Sequence, residues 1–318
     1  MRRFLPLTLA LAMLLTACAS ADDVPPAPVP TPAIVAKLPA DPAGIPLVDV
    51  FVLEDNAVVT MDVESYVAGV LAGEMRADWP LEALKAQAIL ARTFVLKFLS
   101  EKTSMYTGAD ISTDITEAQA YNAAAVDDNI RRAAAETAGQ VLLTSAGELP
   151  YTWFHAHSGG ATALAREGLG YRDAEPAYTL VTDGMDSPDA PEEAAKWEAT
   201  FTKAELIAAC QKIGEKITKV GSVSIAQKGE SGRAVTLTIG GAQVNAAELR
   251  MVLGSTVFRS TLLTDIQVND ASVTFAGRGY GHGVGMPQWG AYALAQDGMA
   301  GQDIALHYFD GLHLTTLW

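Results

Sequence analysis

The sequence predicts an α+β fold of mixed helices and short antiparallel hairpins. Three observations carry this expectation. Apolar residues recur at helical spacing through 63–75 and again through 81–99. From Val220 onward, short runs rich in β-branched residues alternate with turn residues. Helices and strands mix without the regular strand–helix–strand alternation of a doubly wound sheet.

The elements follow in order. Met1-Arg2-Arg3, an apolar run from Phe4 to Leu15, and L-T-A-C ending at Cys18 describe a secretory signal, too short for a membrane-spanning helix. L-T-A-C resembles a bacterial lipobox, so residues 1–17 are expected to be removed and Cys18 to carry lipid; an ordinary signal peptide is the alternative. The stretch 18–45 is rich in proline and alanine and reads as an extended tether. The body is then 46–318. V-D-V-F-V-L and A-V-V-T, separated by E-D-N, read as a hairpin. Asp62 suits the N-cap of a helix through Met75. Pro80 suits the first turn of an alanine-rich helix ending near Leu99. A third helix is expected over 127–137, stopped near Gly139, and a further hairpin is expected from Gln140–Leu143 and Tyr151–Ser158. Short strands and one helix, A-A-E-L-R-M-V-L, follow Val220. Two helices close the chain, P-Q-W-G-A-Y-A-L-A and Q-D-I-A-L-H-Y-F.

Charge narrows the function classes. The net charge is −15, and losing Arg2 and Arg3 with residues 1–17 leaves 20 basic against 37 acidic residues, or −17. Such a surface repels nucleic acid, so no nucleic-acid partner is expected. Cys210, the one cysteine of the body, has no partner for an internal disulfide and reads as a buried apolar residue.

Four features bear on chemistry. Counting from Val63 through Val67, Val70 and Leu71 in steps of three or four lands on Glu74. A carboxyl there faces the interior, where desolvation raises its pKa and suits a general acid; alternatively the helix ends at Gly73 and Glu74 is solvated. In Y-T-W-F-H-A-H-S-G-G, an extended chain puts Tyr151, Trp153, His155 and His157 on one face, as polar cleft lining, as a satisfied structural pair, or as a zinc-binding pair with no third ligand nearby and Cys210 only a distant candidate. In G-R-G-Y-G-H-G-V-G-M-P-Q-W-G, five glycines from Gly277 to Gly285 alternate with other residues. This pattern fits neither a dinucleotide fingerprint nor a phosphate loop. It marks an unusual backbone path or a surface that something approaches closely, beside His282 and Gln288, which can hydrogen-bond a polar substrate.

The segments V-E-S-Y-V-A-G-V-L-A-G-E-M-R-A-D-W-P-L-E-A-L-K-A-Q-A-I-L-A-R-T-F and G-R-G-Y-G-H-G-V-G-M-P-Q-W-G-A-Y-A-L-A together resemble the stage II sporulation protein D (SpoIID/LytB) family. A-Q-A-Y ending at Tyr121, H-S-G-G at 157–160 and A-E-L-R ending at Arg250 agree, so the resemblance runs from about residue 46 to 314. It implies a single SpoIID-like domain that acts on peptidoglycan, as a lytic transglycosylase or as an enhancer of a cell-wall amidase. It implies that Glu74 is the general acid/base for cleavage between N-acetylmuramic acid and N-acetylglucosamine, with a 1,6-anhydro product. It also implies that the glycine motif helps form the cleft, where bare backbone would let a bulky glycan lie close. His282, Gln288, Arg92, Ser158 and His157 are the expected substrate-positioning groups. Some family members carry a zinc site of histidines and cysteines after the second helix; S-M-Y-T-G-A-D-I-S-T-D-I-T-E-A-Q-A-Y has neither, so no metal and no cofactor are expected. With the lipobox and tether, the resemblance places the protein in a bacterial envelope, at the periplasmic face of the outer membrane. The rivals are a wall-binding protein without turnover and a hydrolase that pairs Asp78 with Glu74.

Overall fold

The computed structural model of the chain describes residues 31–318. Strands β1 (Leu47–Val52) and β2 (Ala57–Asp62) form the expected hairpin. Helix α1 (Val63–Glu74) follows directly, because the Asp62 carboxylate accepts the Ser65 backbone N–H at 2.8 Å and caps it. Helix α2 (Leu81–Glu101) begins after Pro80. A short strand β3 (Ile111–Ser112) pairs in parallel with β1. Helix α3 (Asp128–Glu136) is capped by Asp127 and precedes β4 (Gln140–Thr144). Buried Val67, Val70 and Leu71 of α1 and Leu84, Ile89 and Leu96 of α2 build the first core.

Strand β5 (Phe154–His155), whose Phe154 packs on the first core, α4 (Ala165–Gly168) and α5 (Glu192–Ala195) connect to the second lobe. Strand β6 (Lys196–Thr202) alternates exposed and buried residues, so one face covers a second core. Thr202 then starts α6 (Lys203–Lys212) with a reciprocal capping box to Glu205. Cys210 is buried on α6. Strands β7 (Val223–Lys228), β8 (Ala234–Ile239) and β9 (Ala242–Asn245) form one antiparallel sheet, followed by α7 (Ala246–Leu253). Strands β10 (Leu263–Val268) and β11 (Ser272–Arg278) pair antiparallel, with β11 also against β6. The chain returns to the first core through β12 (Met286–Pro287), α8 (Gln288–Gln296), α9 (Gly301–His307) and β13 (Leu312–Thr316). The fold is α+β, with small sheets flanked by helices; the described residues form two large hydrophobic cores and a small third cluster around Ala163, Ala165 and Val284.

Two expectations are corrected. Gln140–Leu143 and Tyr151–Ser158 do not form a hairpin. β4 pairs antiparallel with β13 at the C-terminus, and β5 is two residues long, parallel to β12. Long-range partners outcompete the local turn, so the four-residue alternation from Tyr151 to His157 is not a strand face. The stretch read as a tether, 18–45, is not free chain in its second half. Residues Val35–Lys37 form a 3-10 turn, and Ile34, Val35 and Leu38 pack against the first core. Apolar side chains among the prolines let this part dock. Cys18 and residues 1–17 lie outside the described residues. Among the described residues no helix is long and apolar enough to cross a membrane.

Candidate active site

Glu74 ends α1 and is half-buried. Its Oε1 accepts the Ala120 backbone N–H at 2.7 Å. That contact depends on Gly73, where a Cβ would stand 2.6 Å from the Tyr121 backbone nitrogen, so only a glycine lets the 120–121 segment lie against α1. From the other side, the Gln288 amide donates to the Glu74 backbone carbonyl at 3.1 Å. Burial pushes the Glu74 carboxyl up to about 7, and the Ala120 hydrogen bond only partly opposes it. A carboxyl poised there is half-protonated near neutral pH, as a general acid requires.

Glu74 lines a cavity of about 450 Å³ between the two lobes, within the size range of small-ligand sites. Phe94 and Trp153 supply aromatic wall; Gln119, His155, His282 and Gln288 supply polar groups; Ser255 and Thr256 close it from the second lobe. A second hollow of about 640 Å³ also borders Glu74 and runs past Asp78 to Asp127. Asp78 is exposed and held by Arg76 through a pair of bonds at 3.0 and 2.7 Å, which keep its carboxyl below the usual range.

Of the expected positioning residues, the structure brings Gln288 and His282 to Glu74's cavity. His282 is spent, however. Its Nδ1 accepts the Val284 N–H at 3.0 Å, which leaves Nε2 as the donor, toward the Phe154 backbone. Burial, with Arg250 and Arg233 nearby, pushes it down to about 3, so it is a neutral wall.

The other three are not cleft groups. Arg92 is fully buried, and all five of its N–H donors are used inside the first core. Nε and Nη2 grip Glu64 at 2.9 and 2.5 Å, and the rest reach the carbonyls of Ala88, Ala134 and Gln140. Ser158 is likewise fully buried, its hydroxyl and N–H both on Asp186. His157 lies 3.2 Å from Asp186 and accepts the Gly159 N–H; burial lowers its pKa despite that carboxylate. Together they tie the loop after β5 to the 184–187 segment. The H-A-H pair therefore divides, with His155 on the cavity and His157 in this structural network.

The glycine motif has a structural explanation. Gly279, Gly281, Gly283 and Gly285 all have positive φ, between 68° and 116°, a region closed to most side chains. Their missing side chains face protein. At Gly283 a Cβ would stand 2.3 Å from the guanidinium carbon of buried Arg233, and at Gly285 2.1 Å from the Trp153 carbonyl oxygen. The motif packs against the β5 segment, and Tyr280, Gly281 and His282 of the same motif line the cavity.

Sequence reasoning missed Gln119, known only as part of A-Q-A-Y, and Asp186, which no local pattern marks.

Comparison with known proteins agrees with this architecture. Residues 54–143, which hold α1, α2 and Glu74, match the family model described as Stage II sporulation protein (SpoIID). Residues 159–285 match a domain of unknown function, DUF8618. The chain thus carries a SpoIID family-model domain over residues 54–143. It is 28% identical over 298 residues to Stage II sporulation protein D of Bacillus subtilis, covering 87% of this chain and 80% of that protein. It is 29% identical over 292 residues to the Amidase enhancer of Bacillus subtilis, covering 78% of this chain but 40% of that protein. An uncharacterized protein of Brachyspira hyodysenteriae is 29% identical over 255 residues, 80% of this chain and 67% of that one.

Proposed function

We propose that the protein is a peptidoglycan lytic transglycosylase that uses Glu74 alone as its acid and base. The observation that carries this reading is a single desolvated carboxyl, held at about 7, between two hollows. A polymer cut in its interior needs room on both sides of the acid. Protonated Glu74 gives its proton to the glycosidic oxygen of the leaving N-acetylglucosamine as the C1–O bond of N-acetylmuramic acid breaks. The carboxylate then takes the proton of the substrate's own C6 hydroxyl, whose oxygen bonds to C1 and closes the 1,6-anhydro ring. No water is consumed, so no second carboxylate is required, in contrast to ordinary glycosidases. The engagement of Asp78 by Arg76 favours this scheme over a hydrolase pairing Asp78 with Glu74. Similarity to a protein named Amidase enhancer keeps a second reading, a peptidoglycan-binding stimulator of a cell-wall amidase without turnover. In either case the site of action is the bacterial envelope. The lipobox adds an anchor at Cys18 and points to the periplasmic face of the outer membrane.

Mass spectrometry of purified peptidoglycan after incubation separates the readings. Anhydro ends, which resist borohydride reduction, are expected. Reducing ends would indicate a hydrolase, and unaltered glycan that still binds the protein would indicate the enhancer.

A further inference from the structure

Strand β2 is an open sheet edge. The strand order is β2-β1-β3, and among the described residues no strand pairs with the outer side of β2. Alternate backbone N–H and C=O groups therefore face water along Ala57–Asp62. Native proteins blunt such edges with lysine, proline or a bulge. β2 has none of these, and its A-V-V-T-M-D runs in unbroken register with β1. Its apolar side chains are uncovered as well. Val58 is 42% exposed and Val59 38%, and as neighbours on a strand they point to opposite faces. Val59 lies opposite buried Val50 and extends the rim of the first core. Val58 lies opposite Phe51, whose ring stacks on Tyr106 at 4.2 Å.

We propose that β2 is the docking edge for a β-strand of a partner protein, a strand that carries lysine or arginine at its ends. An added strand supplies hydrogen bonds to the whole free edge, and its side chains cover Val58 on one face and Val59 on the other. Charge selects the partner. From Leu38 to Met75 the chain has no lysine or arginine, while the hairpin bears Asp49, Glu54, Asp55 and Asp62. Glu54 and Asp55 stand in the turn before β2 and Asp62 at its end, so both ends of the edge are negative. The same charges disfavour a second copy of this chain. Antiparallel self-pairing about Val58 or Val59 brings the turn carboxylates of each copy beside Asp62 of the other, and like charges oppose pairing. The acidic hairpin likewise repels an anionic lipid surface.

The test uses the full chain and fluorescently labelled peptides, with binding read by anisotropy. The first peptide, Lys-Lys-Thr-Val-Thr-Val-Thr-Lys-Lys, is a basic strand. The second has glutamate in place of every lysine, and the third has proline in place of the central threonine. The basic strand is expected to bind about 10-fold more tightly than either control and to slow amide exchange across residues 57–62. Val58→Lys sets a charge at an exposed edge position and is expected to weaken that binding about 10-fold with the fold intact by circular dichroism. Glu54→Gln combined with Asp55→Asn is expected to bring the basic and acidic peptides to similar affinity. Equal binding of all three peptides, protection from exchange away from β2, unchanged binding by Val58→Lys, or a neutralised hairpin that still favours basic ends would each overturn the proposal. So would a dimer in sedimentation that Val58→Lys abolishes while the basic strand goes unbound, because the edge would then serve a second copy.

Discussion

Replacing Glu74 by Gln tests the site through both stability and catalysis. A carboxyl held at about 7 instead of its ordinary value of 4.5 binds protons in the folded state over a pH window where the unfolded chain has released them. Wild-type stability therefore falls as pH rises from about 4.5 through 7, and is level above that. The difference amounts to about 3 kcal/mol once the group is fully ionised. The amide of the Glu74→Gln variant carries no such penalty, and its carbonyl oxygen can still accept the Ala120 N–H. At pH 8 the variant should melt higher than wild type by roughly 5–10 °C, while at pH 4 the two should coincide. Cleavage should fall by roughly 10²- to 10⁴-fold, because the amide has no proton to give. In the wild type, turnover should decline about tenfold per pH unit above 7, as the acid form is titrated away. Paired melts at pH 4 and pH 8, with anhydro-product counts at each, provide the assay. A melting difference that does not change with pH would refute the desolvated carboxyl. Full product formation by the variant would refute Glu74 as the acid.

Three further outcomes are expected. Gly283→Ala combines a φ of +87° with a Cβ 2.3 Å from the Arg233 guanidinium carbon and should lower stability by about 2 kcal/mol or more, read by urea denaturation; an unaffected midpoint would contradict the packing role of the glycine motif. Arg92→Met leaves the partly buried Glu64 carboxylate without its cation, though Gly139 and Trp318 still donate to it, and should cost about 3 kcal/mol, whereas a folded variant that loses only glycan binding would restore Arg92 to the cleft. Cys18→Ala should move the protein from the membrane fraction to the soluble one; unchanged fractionation would remove the lipid anchor.

Local spacing in the sequence carried much of the fold. The apolar stripe from Val63 to Leu71, the Asp62 cap and the alanine-rich second helix all rest on neighbours three or four residues apart, and all are present. The same spacing marked Glu74, and the long motif around it carried the resemblance to the SpoIID family. What local spacing left open at Glu74 was its solvation. That depends on Ala120 and Gln288, 46 and 214 residues away, which the tertiary fold brings to it. The tertiary structure also decided the roles of Arg92, His157 and Ser158. Their donor and acceptor groups suit a substrate as well as a core, and only Glu64 and Asp186, placed by the fold, commit them to the interior. The alternating glycines announced an unusual backbone in the sequence itself. Which way their missing side chains face is set by Arg233 and Trp153, because close packing is a property of pairs of segments, and one segment's pattern holds no record of the other.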